Sequence, residues 1–158
     1  IAEKANISKG TLYYYYKSKN EILFDVTDRY LSRQWDELIQ WTENKEKDTS
    51  PHRLVNYVIE RNIAYSGLRL HLFDAALLGD EEIRSKLIHR YDEFQKLISS
   101  KIAERTDRVS ADYFTWLILT VSDGIIIQNS LKNDAFDTQQ FLKQSAEYIK
   151  KFENMHKA

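Results

Sequence analysis

The sequence has no cysteine, a single proline and four glycines in 158 residues. Without cysteine there is no disulfide and no thiolate metal ligand, which fits a reducing, cytoplasmic setting. Proline and glycine are the residues that helices tolerate least, so their scarcity leaves long stretches free to be helical. Long apolar runs are lacking too. The most apolar, Trp116 to Ile127, is short and contains Asp123, too short and too polar to span a bilayer, and no signal peptide is visible. His52, His71, His89 and His156 are scattered, with no second ligand at coordinating spacing on one helix face, so no metal site is expected. A nucleophile elbow, a phosphate-cradling glycine loop and a dinucleotide fingerprint are all absent. Nothing argues for catalysis, and no cofactor is expected.

What is present suits a helical protein with a real core: 42% of residues are hydrophobic and 30% charged. The net charge of −1 is unevenly spread. Residues 1–20 carry Lys4, Lys9, Lys17 and Lys19 against Glu3, giving 4 − 1 = +3 and leaving −4 for the remainder. A basic head on an acidic body is the asymmetry expected when one end meets phosphate. Ile1 is no initiator methionine, and Ile1 to Ala5 reads as the middle of an amphipathic helix. The sequence is therefore expected to be a fragment whose true N-terminus, with the head's first helix, is missing.

Helix signals recur along the chain. Ser8 is a candidate N-cap, and Ser18-Lys19-Asn20-Glu21 has capping-box form. From Ser18, Ile22, Leu23, Val26, Tyr30, Leu31, Trp35, Leu38 and Ile39 recur at helical spacing, predicting a helix to about Asn44 with no glycine or proline hinge. Ser50-Pro51 restarts a helix, with Gly67 as its expected stop. Another is expected from Leu70 to Leu78, ended by Gly79. Further helices are expected after Asp80, after Ser110 to about Leu131, and from Asp137. The expectation is all-α, about eight helices.

Residues 1–23 read as a helix-turn-helix. Ile1 to Ala5 ends one helix, Asn6-Ile7-Ser8 turns, and Lys9 to Tyr16 forms a second. Ile7, Leu12 and Tyr16 should fill the angle between them, leaving Lys9, Thr11, Tyr13, Tyr14 and Tyr15 at the surface. Adjacent exposed tyrosines flanked by lysines suit DNA: hydroxyls donate to phosphate, rings pack on sugars or thymine methyls, and lysines neutralise backbone charge. A core or protein-binding role is the competing reading.

This stretch, Ile-Ala-x-x-Ala-x-Ile-Ser-Lys-Gly-Thr-Leu-Tyr-Tyr-Tyr-Tyr-Lys-Ser-Lys-x-Glu-Ile-Leu, closely resembles the signature of the TetR family of transcriptional regulators. The resemblance implies that Ser8, Lys9, Gly10 and Thr11 open the recognition helix, with Lys9, Gly10, Thr11 and Tyr14 near base edges. Tyr13, Tyr15 and Lys19 would then grip phosphates. Tyr15 stands where many members have His, and Tyr16 where Phe is usual, so the Tyr16 hydroxyl needs a partner. By layout the resemblance also implies a head (residues 1–29) on a helical effector-binding and dimerisation body (residues 30–158).

In that body Trp35, Tyr57, Arg61, Asn62, Tyr65, Phe73, Tyr91, Phe94, Trp116 and Asp123 are candidate pocket residues, each weighed against a plain core role. The Trp116–Ile127 stretch is apolar almost all round, which predicts burial on two sides, by the core and by a second subunit. Ile126, Phe141, Tyr148, Ile149 and Phe152 are the candidate dimer residues, and Gly124 is expected to let helices pack closely. The expected partners are double-stranded operator DNA, a second copy of the chain and an unidentified small-molecule effector, with no membrane. The expected function is repression relieved by that effector. An activator, a ligand-independent regulator, or an interaction adaptor without DNA remain alternatives.

Overall fold

The computed structural model describes residues 1–63 and 66–155, and their side chains except those of residues 62, 66 and 152–155. Among the described residues it has seven helices and no strand: α1 (Lys9–Tyr15), α2 (Lys19–Glu43), α3 (Pro51–Ile63), α4 (Ser66–Leu77), α5 (Glu81–Ala103), α6 (Ala111–Ser130) and α7 (Thr138–Met155). None is long and apolar enough to cross a membrane.

The eighth expected helix, Ile1 to Ala5, is a single turn closed by a 3.0 Å bond from the Ala5 N–H to the Ile1 carbonyl. Asn6 ends it at φ 52°, in the left-handed region. There the Asn6 N–H reaches the Glu3 carbonyl (3.1 Å) and the Ile7 N–H reaches the Ala2 carbonyl (3.1 Å), satisfying carbonyls the helix would otherwise orphan. Gly79, at φ 103°, closes α4 in the same way. Gly67 plays no such part: it lies inside the first turn of α4, and the stop of α3 falls before it.

The body packs around two apolar clusters. The larger joins α2 (Leu38), α3 (Leu54, Val55, Val58, Ile59), α5 (Ile98, Ile102), α6 (Ile118, Leu119, Ile125) and α7 (Leu142). The smaller joins α4 (Leu72, Ala76) to α5 (Ile83, Leu87), with Leu23 and Phe24 of α2 against it. Arg105 staples the far end: it donates to the carbonyls of Thr42 (3.2 Å), Thr49 (2.7 Å) and Lys101 (2.6 Å), fixing the 44–50 loop against α5.

Helix α2 runs unbroken through residues 29 and 30, so the expected head–body boundary falls inside a continuous helix. Its N-terminal half is docked on the body well before that point. Asn20 donates to Asp80 (2.9 Å), which also caps α5 through the Ile83 N–H. Asp28 accepts from Arg90 of α5 at 2.6 Å, and Arg90 bonds the Ser32 hydroxyl and Glu93 besides.

Candidate nucleic-acid interface and effector cavity

Helix α1 is built by local bonds. Ser8 caps α1 by accepting from the Thr11 N–H (2.9 Å), and the Ser8 and Thr11 hydroxyls meet at 2.8 Å. Ser18 caps α2 through the Glu21 N–H (3.1 Å), while the Glu21 carboxylate accepts from the Lys17 N–H at 2.6 Å. Between these two caps the chain turns once, at Tyr16, whose extended backbone ends α1.

Helix α1 buries no residue fully. Leu12 and Tyr16 are half-buried on its inner face, and the Tyr16 hydroxyl finds its partner in Asp25 of α2 at 2.5 Å. That bond holds the Asp25 carboxyl below its ordinary range and raises the Tyr16 hydroxyl above its own. Ile7, expected in the angle between the helices, is 40% exposed instead, and among the described residues it is covered on one side only in part.

The outer face agrees with the sequence pattern. Tyr13, Tyr14 and Tyr15 are 69%, 83% and 71% exposed, and Ser8, Lys9, Gly10, Thr11 and Lys19 are exposed beside them. A Cβ at Gly10 would meet the Ser8 hydroxyl at an ordinary 3.6 Å. The head itself therefore does not require glycine there. The face offers hydroxyls, rings and ammonium groups with few partners of their own, the groups that contact phosphate, sugar and base edges.

In the body, a cavity of about 30 Å³ lies between α2, α4, α5 and α6. Its walls include Leu31, Leu72, Leu87, Phe94 and Leu119, with Thr27, Asp28, Arg69, Arg90 and Tyr91 as polar members. Arg69 is buried and bonds Asp123 at 3.0 Å through Nη2, and Tyr91 donates to the same carboxylate. Burial raises the Asp123 carboxyl above its usual range, Arg69 opposing, and burial likewise pushes the Tyr91 hydroxyl up. On the outer side of Tyr91 an open groove of about 540 Å³ runs between Phe73, Leu77, Ile88, Asp123 and Ile127.

The structure gathers part of the expected pocket set and disperses the rest. Tyr91 and Phe94 line the cavity, Trp35 stands edge-on behind Phe94 at 5.5 Å, and Phe73 and Asp123 line the outer groove. Tyr57 and Arg61 lie elsewhere. Tyr57 stacks on Trp41 at 4.4 Å and donates to the Glu37 carbonyl, with the Arg61 guanidinium over its ring and 3.5 Å from Glu37. Both are committed to the α2–α3 seam. Trp116 is 42% exposed on the outer face of α6, because Thr115, Ile118, Leu119 and Ser122 take the inward positions. Tyr65 and the side chain of Asn62 lie outside the described residues.

Among the candidate dimer residues, Ile126 is 0% exposed within one subunit and has no surface to offer a partner. Tyr148 is 68% exposed, Phe141 and Ile149 are half-buried, and the Phe152 side chain lies outside the described residues. Tyr113, Trp116, Leu117 and Ile127 form the uncovered side of α6. A Cβ added at Gly124 would meet nothing within 4 Å, so among the described residues no neighbouring helix makes use of its small size. Sequence reasoning passed over Arg69 and Arg90. A lone arginine between leucines, as in Leu68-Arg69-Leu70, was the available signal for the first.

The basic, tyrosine-faced helix set after a tight turn defines a helix-turn-helix DNA-binding transcriptional regulator. Residues 1–26 match the family model described as bacterial regulatory proteins, tetR family, and that match supports a DNA-binding transcriptional regulator of this kind. No curated protein matches the chain.

Proposed function

We propose that the protein is a dimeric, cytoplasmic repressor that leaves a palindromic operator when a small molecule enters its body. The observation that carries this is Arg90, which lines the cavity and at the same time grips α2 at Asp28 and Ser32, just behind the recognition helix. A ligand that displaces Arg90 acts directly on the element that aims α1. Two recognition helices fit successive major grooves at roughly 34–36 Å, so a small tilt of α2 in each subunit spoils the match. Linkage requires that ligand and operator then weaken each other by the same factor.

The uncovered apolar side of α6, together with Tyr148 on α7, supports a second copy as partner, since a face of this kind is self-complementary across a two-fold axis. Sedimentation at micromolar concentration tests it: a dimer is expected, and a well-folded monomer would overturn it.

The regulatory reading is tested by measuring effector affinity with and without operator, in the wild type and in a chain with two glycines inserted near Arg33. Were α2 a lever along its whole length, the insert would uncouple the sites. With Asn20 and Asp28 docked on α5 ahead of the insertion, coupling is expected to persist. Its loss would return the signal to the distal half of α2. An absence of salt-dependent DNA binding in both chains would remove the regulator reading altogether.

A further inference from the structure

Arg69 is an unusual residue to find where it lies. Its side chain is 10% exposed, in a helix whose neighbours are mostly apolar. A guanidinium carries five N–H donors in a fixed fork. Nη2 serves Asp123 at 3.0 Å and faces the Tyr91 hydroxyl at 3.4 Å, whereas Nη1 is buried with no hydrogen-bond partner. A buried charged donor left unmet is costly, and native structures keep such groups where something else meets them.

The charge around the cavity restricts what that something is. Arg69 is balanced by Asp123 and Arg90 by Asp28, so the formal sum is zero, and Glu93 on the outer side of Arg90 tilts it towards negative. A carboxylate entering here would bring an uncompensated charge into an apolar chamber, and an ammonium would face Arg69 itself. An uncharged acceptor oxygen meets Nη1 without either penalty.

We propose that the body binds an uncharged, mainly apolar molecule bearing a carbonyl oxygen, and that Arg69 Nη1 is the donor that anchors it. This rests on the reading of the body as a sensor and names its ligand class. The cavity of about 30 Å³ holds little more than a water, so the ligand makes its room by moving a wall. Tyr91, with Leu87, is the wall shared with the outer groove of about 540 Å³. The carbonyl end passes Tyr91 to reach Arg69, and the apolar remainder lies along Phe73, Ile88 and Ile127.

Three probes of matched size separate the possibilities: acetophenone, benzoate and ethylbenzene, titrated into the full chain and followed by tryptophan fluorescence and thermal shift. Acetophenone is expected to bind about tenfold more tightly than either of the others, the worth of one hydrogen bond from a charged donor. Arg69→Met is expected to erase its advantage over ethylbenzene while ethylbenzene binding stays. Asp123→Asn leaves Arg69 uncompensated and is expected to turn the preference towards benzoate, which decides the matter alone if Arg69→Met fails to fold. Benzoate ahead in the wild type, or ethylbenzene equal to acetophenone, overturns the anchor and leaves the sensor reading standing. No binding by any probe overturns both, whatever the outcome with DNA.

Discussion

The head and the body of this regulator are held together by different forces. Helix α1 has no fully buried residue; its shape comes from the Ser8 and Ser18 caps, the left-handed Asn6 and the Tyr16–Asp25 bond. The body instead closes over an apolar core drawn from α2, α3, α5, α6 and α7. Hydrogen bonds fix direction but typically add only about 0.5–1.5 kcal/mol each, whereas burying a large aliphatic side chain adds about 1.5–3 kcal/mol. The N-terminal segment is thus shaped by local bonds, while the body carries most of the buried apolar surface.

The largest effect should come from the body. Ile126→Ala leaves a cavity at a fully buried site and is expected to cost about 2–5 kcal/mol in urea denaturation, with DNA binding lost in step with folding. Ile126→Asp should fail to fold rather than yield monomers. A folded, monomeric Ile126→Asp protein would show that the position belongs to the interface after all.

The junction comes next. Arg90→Met removes the grip on Asp28 and Ser32 and is expected to cost about 1–3 kcal/mol, since Asp28 is left half-buried without its partner. Its distinguishing readout is coupling: DNA affinity without ligand should change little, while ligand should no longer weaken it. A variant that is less stable yet still fully coupled would leave Arg90 a purely structural role.

Tyr16→Phe acts within the head and is expected to lower stability by less than Arg90→Met does, since it removes one bond near the surface. It also carries a pH signature. The folded-state pKa of Asp25 is depressed, first by the Tyr16 bond, so the stability this carboxylate contributes is present above its unfolded value of about 3.9 and lost as pH falls through the folded one. Acid titration of the wild type should therefore show a loss below about pH 4 that is smaller in Tyr16→Phe. Equal slopes would mean that Arg29, and not Tyr16, holds Asp25.

The smallest effects on stability belong to the exposed face. Tyr14→Ala and Lys19→Ala should each leave the denaturation midpoint almost unchanged. Lys19→Ala should weaken binding to all DNA alike and lower the salt slope by about one phosphate contact, whereas Tyr14→Ala should weaken it unevenly across sequences. The reverse pattern would exchange their roles.

The sequence by itself determined whatever depends on near neighbours. Caps at Ser8, Ser18, Asp80 and Ser110 each join a side chain to an N–H three residues on, and Gly79 stops α4 because a left-handed residue is needed there. Such bonds span a few residues and leave a spacing that can be read, as does the helix-turn-helix itself. Tertiary structure alone decided which of several equivalent residues went inside. Helix α6 is apolar nearly all round, and only the packing of α3, α4 and α5 against it decides that Ile126 lies inward and Trp116 out. Likewise Arg69 meets Asp123 and Tyr91 across separations of 54 and 22 residues, a contact with no local trace. Tyr57 and Arg61 likewise meet Trp41 and Glu37 on the neighbouring helix, contacts that no local spacing announces.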